Sequence, residues 1–435
     1  MAEWDLTPVL AQYLDPHLVY GLLEFLGNQD IYDPEEIFNH KVKVLSKTLL
    51  YDNLLALYEK NNKPKPDELE KKLIQLEDKR KEYIQDLNEI VECLSSLNEL
   101  DENNMQESIQ EIRKKFPKET IDKLYEYARF SYNRGQYPEA MAFIKSFQLL
   151  ISPDDPNYQH TLWGLFVSSF FSQDVKEAHD IFFSLKTYID NANFTPILAL
   201  QNRTWLIHWG LFIFFNVEHG RDYLVELFLD FKNQNNKQSQ NNAYLNAIQT
   251  SCPHILRYLT AAVITHRQRR VYMKELVRLI QQESYNYRDP ITEFVECLYV
   301  NFDFDGAQQK LRDCEIVLRI DFFLTACIDE FIENARLFIF EIFCQIHECI
   351  SIDMIAEKLN MKNDEAERWI VKLIRDAHFD ARIDSKHGHV IMGTQAVSQY
   401  HQLIEKTQAM RLRTEMLAVS IEKTVQKKNE RSMWN

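Results

Sequence analysis

Two short motifs contain the residue types that bind metal ions. Cys344-x2-His347-x-Cys349 lies in the apolar segment LFIFEIFCQIHECI, which predicts a helix. A zinc site of the finger type needs a second cysteine or histidine pair, and none stands at that spacing. His387 and His389 flank Gly388 and fit the tip and strand of a hairpin better than a ligand pair. We interpret these side chains as structural, and we expect neither a metal nor a cofactor.

Four carboxylates form the best candidate for acid–base chemistry: Glu293, Glu296, Asp303 and Asp305. General acid–base catalysis needs a cleft and a perturbed partner, and nothing in the spacing indicates either. The 435 residues include 9 glycines, and the glycine-rich loops of nucleotide and hydrolase sites are absent from the sequence. We therefore interpret the carboxylates as a solvated edge and expect no catalytic residue and no enzymatic activity.

Charge limits the classes of partner. The formal net charge is −15, which does not suit a protein that coats nucleic acid or anionic lipid. Arg267, Arg269 and Arg270 form one basic cluster. We favour a solvated helix end over an RNA contact, and leave direct RNA contact open. Seven scattered cysteines and the lack of a basic segment before an apolar run at the N-terminus lead us to expect a cytoplasmic protein, with a nuclear pool left open.

The elements around these residues read as helices. Residues 1–60 predict short amphipathic helices, including one with Asp33 as N-cap and Pro34 at its first position. The charged segment 67–115 predicts one or two long helices that lie as a hairpin against their neighbours. The Asn/Gln-rich segment 231–242 predicts a surface loop of unassigned role, and 244–345 returns to apolar helices.

A repeat signal runs through residues 118–200. Small and aromatic residues alternate as in a tetratricopeptide-like helical hairpin, in the order Leu124, Tyr127, Ala128, Tyr132, Gly135, Tyr137 and Ala140. A looser copy ends at Ala178, and a third ends at Ala307. The spacing predicts an α-solenoid.

The pattern changes near residue 346. Ser351 is placed to cap a short helix, Asn363 to cap a second, and the strands Ala381–Asp384 and His389–Met392 flank Ser-Lys-His-Gly. Helix, helix and hairpin together predict a winged helix. Its predicted core consists of Ile355, Leu359, Trp369, Ile370, Leu373 and Ile374.

The winged helix is predicted to dock protein rather than DNA. Residues 351–400 carry seven basic and eight acidic residues, and three acids lie at the start of the second helix, where phosphate would approach. We interpret the hairpin as a docking edge with an outer strand at His389–Met392. The predicted docking residues of the wing are Ile383, His389, Val390, Ile391 and Met392.

The tail, residues 401–435, differs in sign from the rest of the chain. It has seven Lys and Arg against four Glu, and apolar residues recur through it at roughly helical spacing. An RNA-binding arm does not need such a stripe, whereas a helix that packs into a bundle does. The frayed, solvated terminus remains the alternative. The predicted docking residues of the tail are Leu403, Ile404, Leu417 and Ile421.

Helical repeats that lead into a winged helix resemble the PCI domain, which the proteasome lid, the COP9 signalosome and translation initiation factor 3 share. The segment 351–392 is very similar to the winged-helix block of that family. The segments 203–216, 252–265 and 281–311 resemble the e-subunit family of eukaryotic translation initiation factor 3. The fold class is therefore all-α dominated: a solenoid, a winged helix and a C-terminal helix. The expected domains are 1–117, 118–218, 219–398 (with the winged helix at 346–398) and 399–435.

The resemblance implies a non-enzymatic scaffold subunit that promotes initiation of protein synthesis. The partners it implies are the c-, d- and l-type subunits of the factor and the small ribosomal subunit, with mRNA reached only indirectly and neither membrane nor DNA bound. A scaffold subunit of the proteasome lid or the signalosome is the alternative. A nucleic-acid regulator is opposed by the charge, and an enzyme by the missing motifs.

Overall fold

The computed structural model describes residues 2–29, 31–97, 112–153, 155–229, 241–266, 269–347, 349–359, 363–376, 381–384, 389–392 and, from 403 to 421, all but 405, 409, 412 and 420. These residues belong to two compact units, Met1–Phe338 and Ile339–Asn435. No helix among them has the length and apolar character to cross a membrane.

The first unit begins with helices whose starts are specified by local chemistry. Asp33 accepts a hydrogen bond from the Glu35 backbone N–H at 3.2 Å, which confirms the predicted N-cap before Pro34. Asp15 caps the preceding helix in the same way through the His17 backbone N–H. The helices are α1 (Thr7–Leu10), α2 (Pro16–Gly27), α3 (Pro34–Leu45), α4 (Tyr51–Lys60) and the long α5 (Asp67–Leu97).

The charged helix α5 lies against a neighbouring hairpin through a narrow apolar face, as predicted. Leu87 and Ile90 are buried with Leu124 and Phe147 of the following helices. Ion pairs flank that face, with Lys123 Nζ 2.7 Å from Asp86 and Arg80 3.3 Å from Glu139. The second half of the predicted hairpin falls mostly on residues 98–111, which lie outside the described part of the chain.

The next helices form the predicted solenoid. They are α6 (Lys118–Asn133), α7 (Tyr137–Leu150), α8 (Asn157–Phe171), α9 (Val175–Asn191), α10 (Pro196–Phe214), α11 (Gly220–Leu229), α12 (Asn241–Thr250), α13 (Ile255–Thr265), α14 (Arg269–Glu283), α15 (Pro290–Tyr299), α16 (Phe304–Ile320) and α17 (Ile328–Ile346). Most helices that are neighbours in sequence pack on one another, as repeat proteins require.

The first repeat is closed by small residues, as its spacing predicts. Ala128 and Ala140 are fully buried where α6 meets α7. Gly135, in the turn, has φ +83°, and a Cβ atom there would lie 2.5 Å from Leu50 Cδ2. Glycine is needed at this position because an L side chain would be both strained and obstructed. Ala178 and Ala307 are equally buried in the two looser copies.

One boundary in the first unit differs from the prediction. The Asn/Gln-rich loop was expected to extend to residue 242, but α12 begins at Asn241. Burial of Tyr244, Ala247 and Ile248 accounts for the earlier start, because the helix buries its apolar face as soon as it forms. Residues 230–240 lie outside the described part of the chain.

The second unit contains a small winged-helix module. Two helices, α18 (Ile352–Leu359) and α19 (Asn363–Asp376), accompany three strands, β1 (Cys349–Ser351), β2 (Ala381–Asp384) and β3 (His389–Met392). Ser351 accepts a hydrogen bond from the Met354 backbone N–H at 3.2 Å, which confirms it as the cap of α18.

Candidate protein-docking site

The sheet of the winged helix places β3 in its centre. The strand order is β1-β3-β2, and both neighbours are antiparallel to β3. Val390 faces Ile350 on one side and Ile383 on the other, and its side chain is fully buried. The prediction that His389–Met392 is the outer strand is therefore wrong. Strand β1 was not predicted, because a strand of three residues next to a helix carries no periodicity of its own.

The outer strands of this sheet are β1 and β2, and β2 is the one that belongs to the predicted hairpin. Half of the backbone N–H and C=O groups of an edge strand point away from its partner and can pair with another chain. Ile383 lies half-buried on β2, and His389 lies half-buried on β3 beside Asp384. Val390 is a core residue and not a surface contact. The strands place Ile391 and Met392 on β3, but their side chains are outside the described part.

Two residues of the predicted core, Ile370 and Trp369, have described side chains. Ala366 and Ile370 are fully buried on α19. Trp369 is only half-buried and meets Phe340 edge-on, with ring centroids 5.6 Å apart at 89°. It is therefore a rim residue rather than the centre of the core. Ile355, Leu359, Leu373 and Ile374 lie on the two helices, and their side chains are outside the described part.

The described residues of the tail between 403 and 421 are helical, and every one of them is exposed. Leu403 is 64% exposed, Leu417 61% and Ile421 59%. Burying such side chains is favourable by roughly 1.5–3 kcal/mol each, so their exposure is costly. The helix has no apolar partner among the residues that the structure describes.

Four of the exposed apolar residues of the tail fall on one line with two threonines, and Ile404, 51% exposed, lies outside that line. Leu403, Met410 and Leu417 are spaced by seven residues, and Thr407, Thr414 and Ile421 are spaced by seven between them. The Thr407 hydroxyl donates to the Leu403 carbonyl at 2.6 Å, and the Thr414 hydroxyl donates to the Met410 carbonyl at 2.9 Å. Because both hydroxyls are satisfied within the helix, the face is suited to apolar packing. We call these six residues the tail seam, and its spacing is that of a coiled coil.

The metal candidates do not lie on one helix, and the side chains of Cys344 and Cys349 are outside the described part of the chain. Helix α17 ends at Ile346 and Cys349 begins β1, so the prediction that Cys344, His347 and Cys349 share a helix is wrong. His347 packs on Phe343 with ring centroids 4.4 Å apart. Among the described residues, no three His, Cys, Asp or Glu side chains form a metal site; His387 lies outside them.

The acidic and basic candidates have structural surroundings. Glu293 pairs with Lys310 at 2.6 Å, and Asp303 caps α16 by accepting from the Gly306 backbone N–H at 3.0 Å. Arg269 begins α14, while Arg267 lies outside the described part, as do the side chains of Arg269 and Arg270. The RNA contact of this cluster therefore stays an open hypothesis.

A buried ionic cluster, which the sequence did not predict, surrounds Arg257. Arg257 is 2% exposed and donates to Asp289 at 2.6 Å, to Asp321 at 3.2 Å and to the Trp4 carbonyl at 2.9 Å. Asp321 also accepts from the Tyr258 hydroxyl at 2.9 Å. Burial opposes the charge of Arg257, but the two carboxylates outweigh it and hold its pKa well above the usual value. An arginine inside the apolar run HILRYLTAAVIT was the available signal.

A buried histidine pair lies near this cluster in sequence. His208 Nε2 and His254 Nε2 are 2.8 Å apart, His208 Nδ1 lies 2.6 Å from the Thr204 carbonyl, and Tyr13 stacks on His208 at 4.1 Å. Burial lowers the pKa of His208 to about 4 and that of His254 to about 3. Both rings are therefore neutral at pH 7, and they hold the N-terminal segment on α10 and the start of α13.

A helical solenoid with a winged-helix module at its C-terminal side is the architecture of PCI-domain scaffold proteins. Residues 311–394 match the PCI domain family, and residues 5–131 match the family described as eIF3 subunit 6 N terminal domain.

Relatives that match over nearly the full length show which family within this class the chain belongs to. The chain is 44% identical to the E-subunit of eukaryotic translation initiation factor 3 from Drosophila virilis, over all of this chain and 99% of the relative. The E-subunits from Culex quinquefasciatus and Drosophila melanogaster are each 44% identical over 99% of this chain and 98% of the relative. The chain belongs to the E-subunit family of eukaryotic translation initiation factor 3, and the PCI resemblance is confirmed.

Proposed function

We propose that the chain is a non-enzymatic scaffold subunit of translation initiation factor 3, and that the tail seam and the β2 edge hold sister subunits. The subunits implied by the family are the c, d and l types, and the assembled factor would bind the small ribosomal subunit in the cytoplasm. Family membership supports a place in the factor rather than in the proteasome lid or the signalosome.

The tail seam is the observation that carries the proposal. Its apolar residues are exposed on a helix, at the seven-residue spacing that buries a face against other helices. Coiled-coil association removes such a face from water and so supplies the missing burial. The positive charge of the tail favours partner helices that carry acidic residues beside their own apolar seam.

Matched tail variants test the proposal. Met410→Lys with Leu417→Lys places two charges in the seam, whereas Gln408→Lys with Met416→Lys places two charges outside it on the same exposed helix. We expect the first pair to lower the amount of chain that co-purifies with tagged factor by at least about tenfold, since each buried charge costs several kcal/mol. The second pair should leave it near the wild-type amount.

Two results would contradict the proposal. Equal loss with both pairs would show that the tail acts through charge rather than through a seam. Full incorporation of the seam pair would show that the tail does not hold a sister protein.

An Ile383→Pro variant tests the β2 edge separately, because proline at an edge strand removes an N–H donor. Incorporation unchanged by that variant, with the fold intact, would remove β2 from the docking site.

A further inference from the structure

An apolar groove lies beside α3 at the N-terminal side of the first unit. It has a cavity of about 300 Å³, and its walls are mainly aliphatic. Leu23 and Val44 are half-buried in its walls, and Ala11 lies half-buried at one side. The lining follows α3 from Glu36 to Val44, roughly 12 Å of helix. A groove of this length has room for the apolar side chains of two helical turns.

The two ends of the groove carry opposite charge. Asp5 and Glu36 lie at the end where α3 begins, and Lys43 and Lys47 lie near the end where it stops. The Asp5 carboxylate is satisfied within the chain, by the Thr7 backbone N–H at 2.9 Å and the Tyr32 hydroxyl at 2.8 Å.

Two exposed lysines lie at one end of this groove. Lys43 and Lys47 are exposed, and neither has a carboxylate partner within the described residues. They are therefore placed to attract negative charge on whatever enters from their end. A helix carries partial negative charge at its C-terminus and partial positive charge at its N-terminus, so the groove can orient a helical ligand as well as bind it.

We propose that this groove binds a short amphipathic helix of a partner protein, with aliphatic residues on the face that enters and carboxylates in its last turn. The helix lies parallel to α3, with its N-terminus beside Asp5 and Glu36 and its carboxylates beside Lys43 and Lys47. The groove shares no residue with the tail seam or the β2 edge, so this proposal does not depend on the proposed scaffold contacts.

Two synthetic peptides test the charge and direction of the ligand. Both have leucines at helical spacing; one has glutamates in its last turn, and the other has lysines there. Fluorescence anisotropy with the full chain should show the glutamate peptide binding at least about tenfold more tightly than the lysine peptide. Lys43→Glu with Lys47→Glu should reverse the order, and Lys71→Glu with Lys79→Glu, on exposed positions of α5, should leave it unchanged.

A filling variant tests the groove itself. Ala11→Phe occupies the cavity and should weaken both peptides, with helicity by circular dichroism showing that the chain is folded. The proposal is overturned by equal binding of the two peptides, by a preference for the glutamate peptide that survives the Lys43 and Lys47 reversal, or by binding that Ala11→Phe leaves intact. Failure of the glutamate peptide to bind wild-type chain also overturns it. Because the charge variants lie on exposed positions, they remain informative even where Ala11→Phe does not fold.

Discussion

Two apolar helices of this chain differ in the exposure of their side chains. In α13, residues such as Leu259 and Val263 are fully buried, whereas Leu403 and Leu417 in the tail are more than half exposed. Both segments are helical and rich in aliphatic residues, but α13 is covered by its own unit and the tail is not. Apolar content therefore predicts burial only where the chain itself supplies a covering partner.

Removal of the buried cation of α13, Arg257, is expected to have the largest effect on stability. Arg257→Leu leaves Asp289 and Asp321 buried without their cation, and we expect the free energy of unfolding to fall by about 3–5 kcal/mol. Urea denaturation followed by circular dichroism measures it. The control is Arg319→Leu, which removes an exposed ion pair with Glu315 and should cost about 0.5 kcal/mol. Equal losses would mean that the buried cluster contributes no more than a surface pair.

The histidine pair makes the covered region sensitive to acid. The pKa of each ring is lower in the folded chain than in the unfolded chain, so stability is complete above about pH 6.5. As the pH falls toward about 4, only the unfolded chain takes up these protons. Each ring then lowers the free energy of unfolding by up to about 1.4 kcal/mol per pH unit.

Urea melts between pH 7 and 5 measure this slope. His254→Gln should reduce it, and His160→Gln, at an exposed position, should not. A slope that is the same in wild type and His254→Gln would refute the assignment of neutral buried rings.

Trp369 is intermediate in burial between the side chains of α13 and those of the tail. Trp369 is half-buried against Phe340. Trp369→Ala should therefore lower the free energy of unfolding by about 2 kcal/mol, whereas truncation of a fully buried ring lowers it by about 3–5 kcal/mol. Amide hydrogen exchange of α19 in the full chain reports the loss locally. Val371→Ala, at an exposed site on the same helix, serves as the control. A loss for Trp369 no greater than for Val371 would exclude the Phe340 contact as a stabilising one.

Deletion of 401–435 should have the smallest effect on stability and a large effect on assembly. The described tail residues contribute no buried side chain, so the urea midpoint of the remaining chain should not change measurably. Incorporation into the factor should fall, because the seam is removed. A truncated chain that unfolds more easily would show that the tail packs on its own unit.

Much of the architecture could be predicted because it depends on local signals. Asp33 with Pro34 marks a helix start, and Gly135 marks a turn, whatever lies around them. The seven-residue recurrence of Leu403, Met410 and Leu417 likewise needs only the sequence to be seen. The resemblance to PCI proteins rested on such segments, and the relatives confirm it.

The central position of β3 and the burial of Trp369 could not be predicted. Each depends on which distant segment comes to lie beside the residue: β1 beside Val390, and Phe340 beside Trp369. The contacts of Arg257 with Asp289 and Asp321 span 32 and 64 residues, and those of His208 with His254 span 46. Helices, caps, turns and the charge of each segment could be predicted because they depend on neighbours along the chain. Which polar groups are buried and which apolar faces stay exposed could be seen only in the folded chain, because burial depends on neighbours in space.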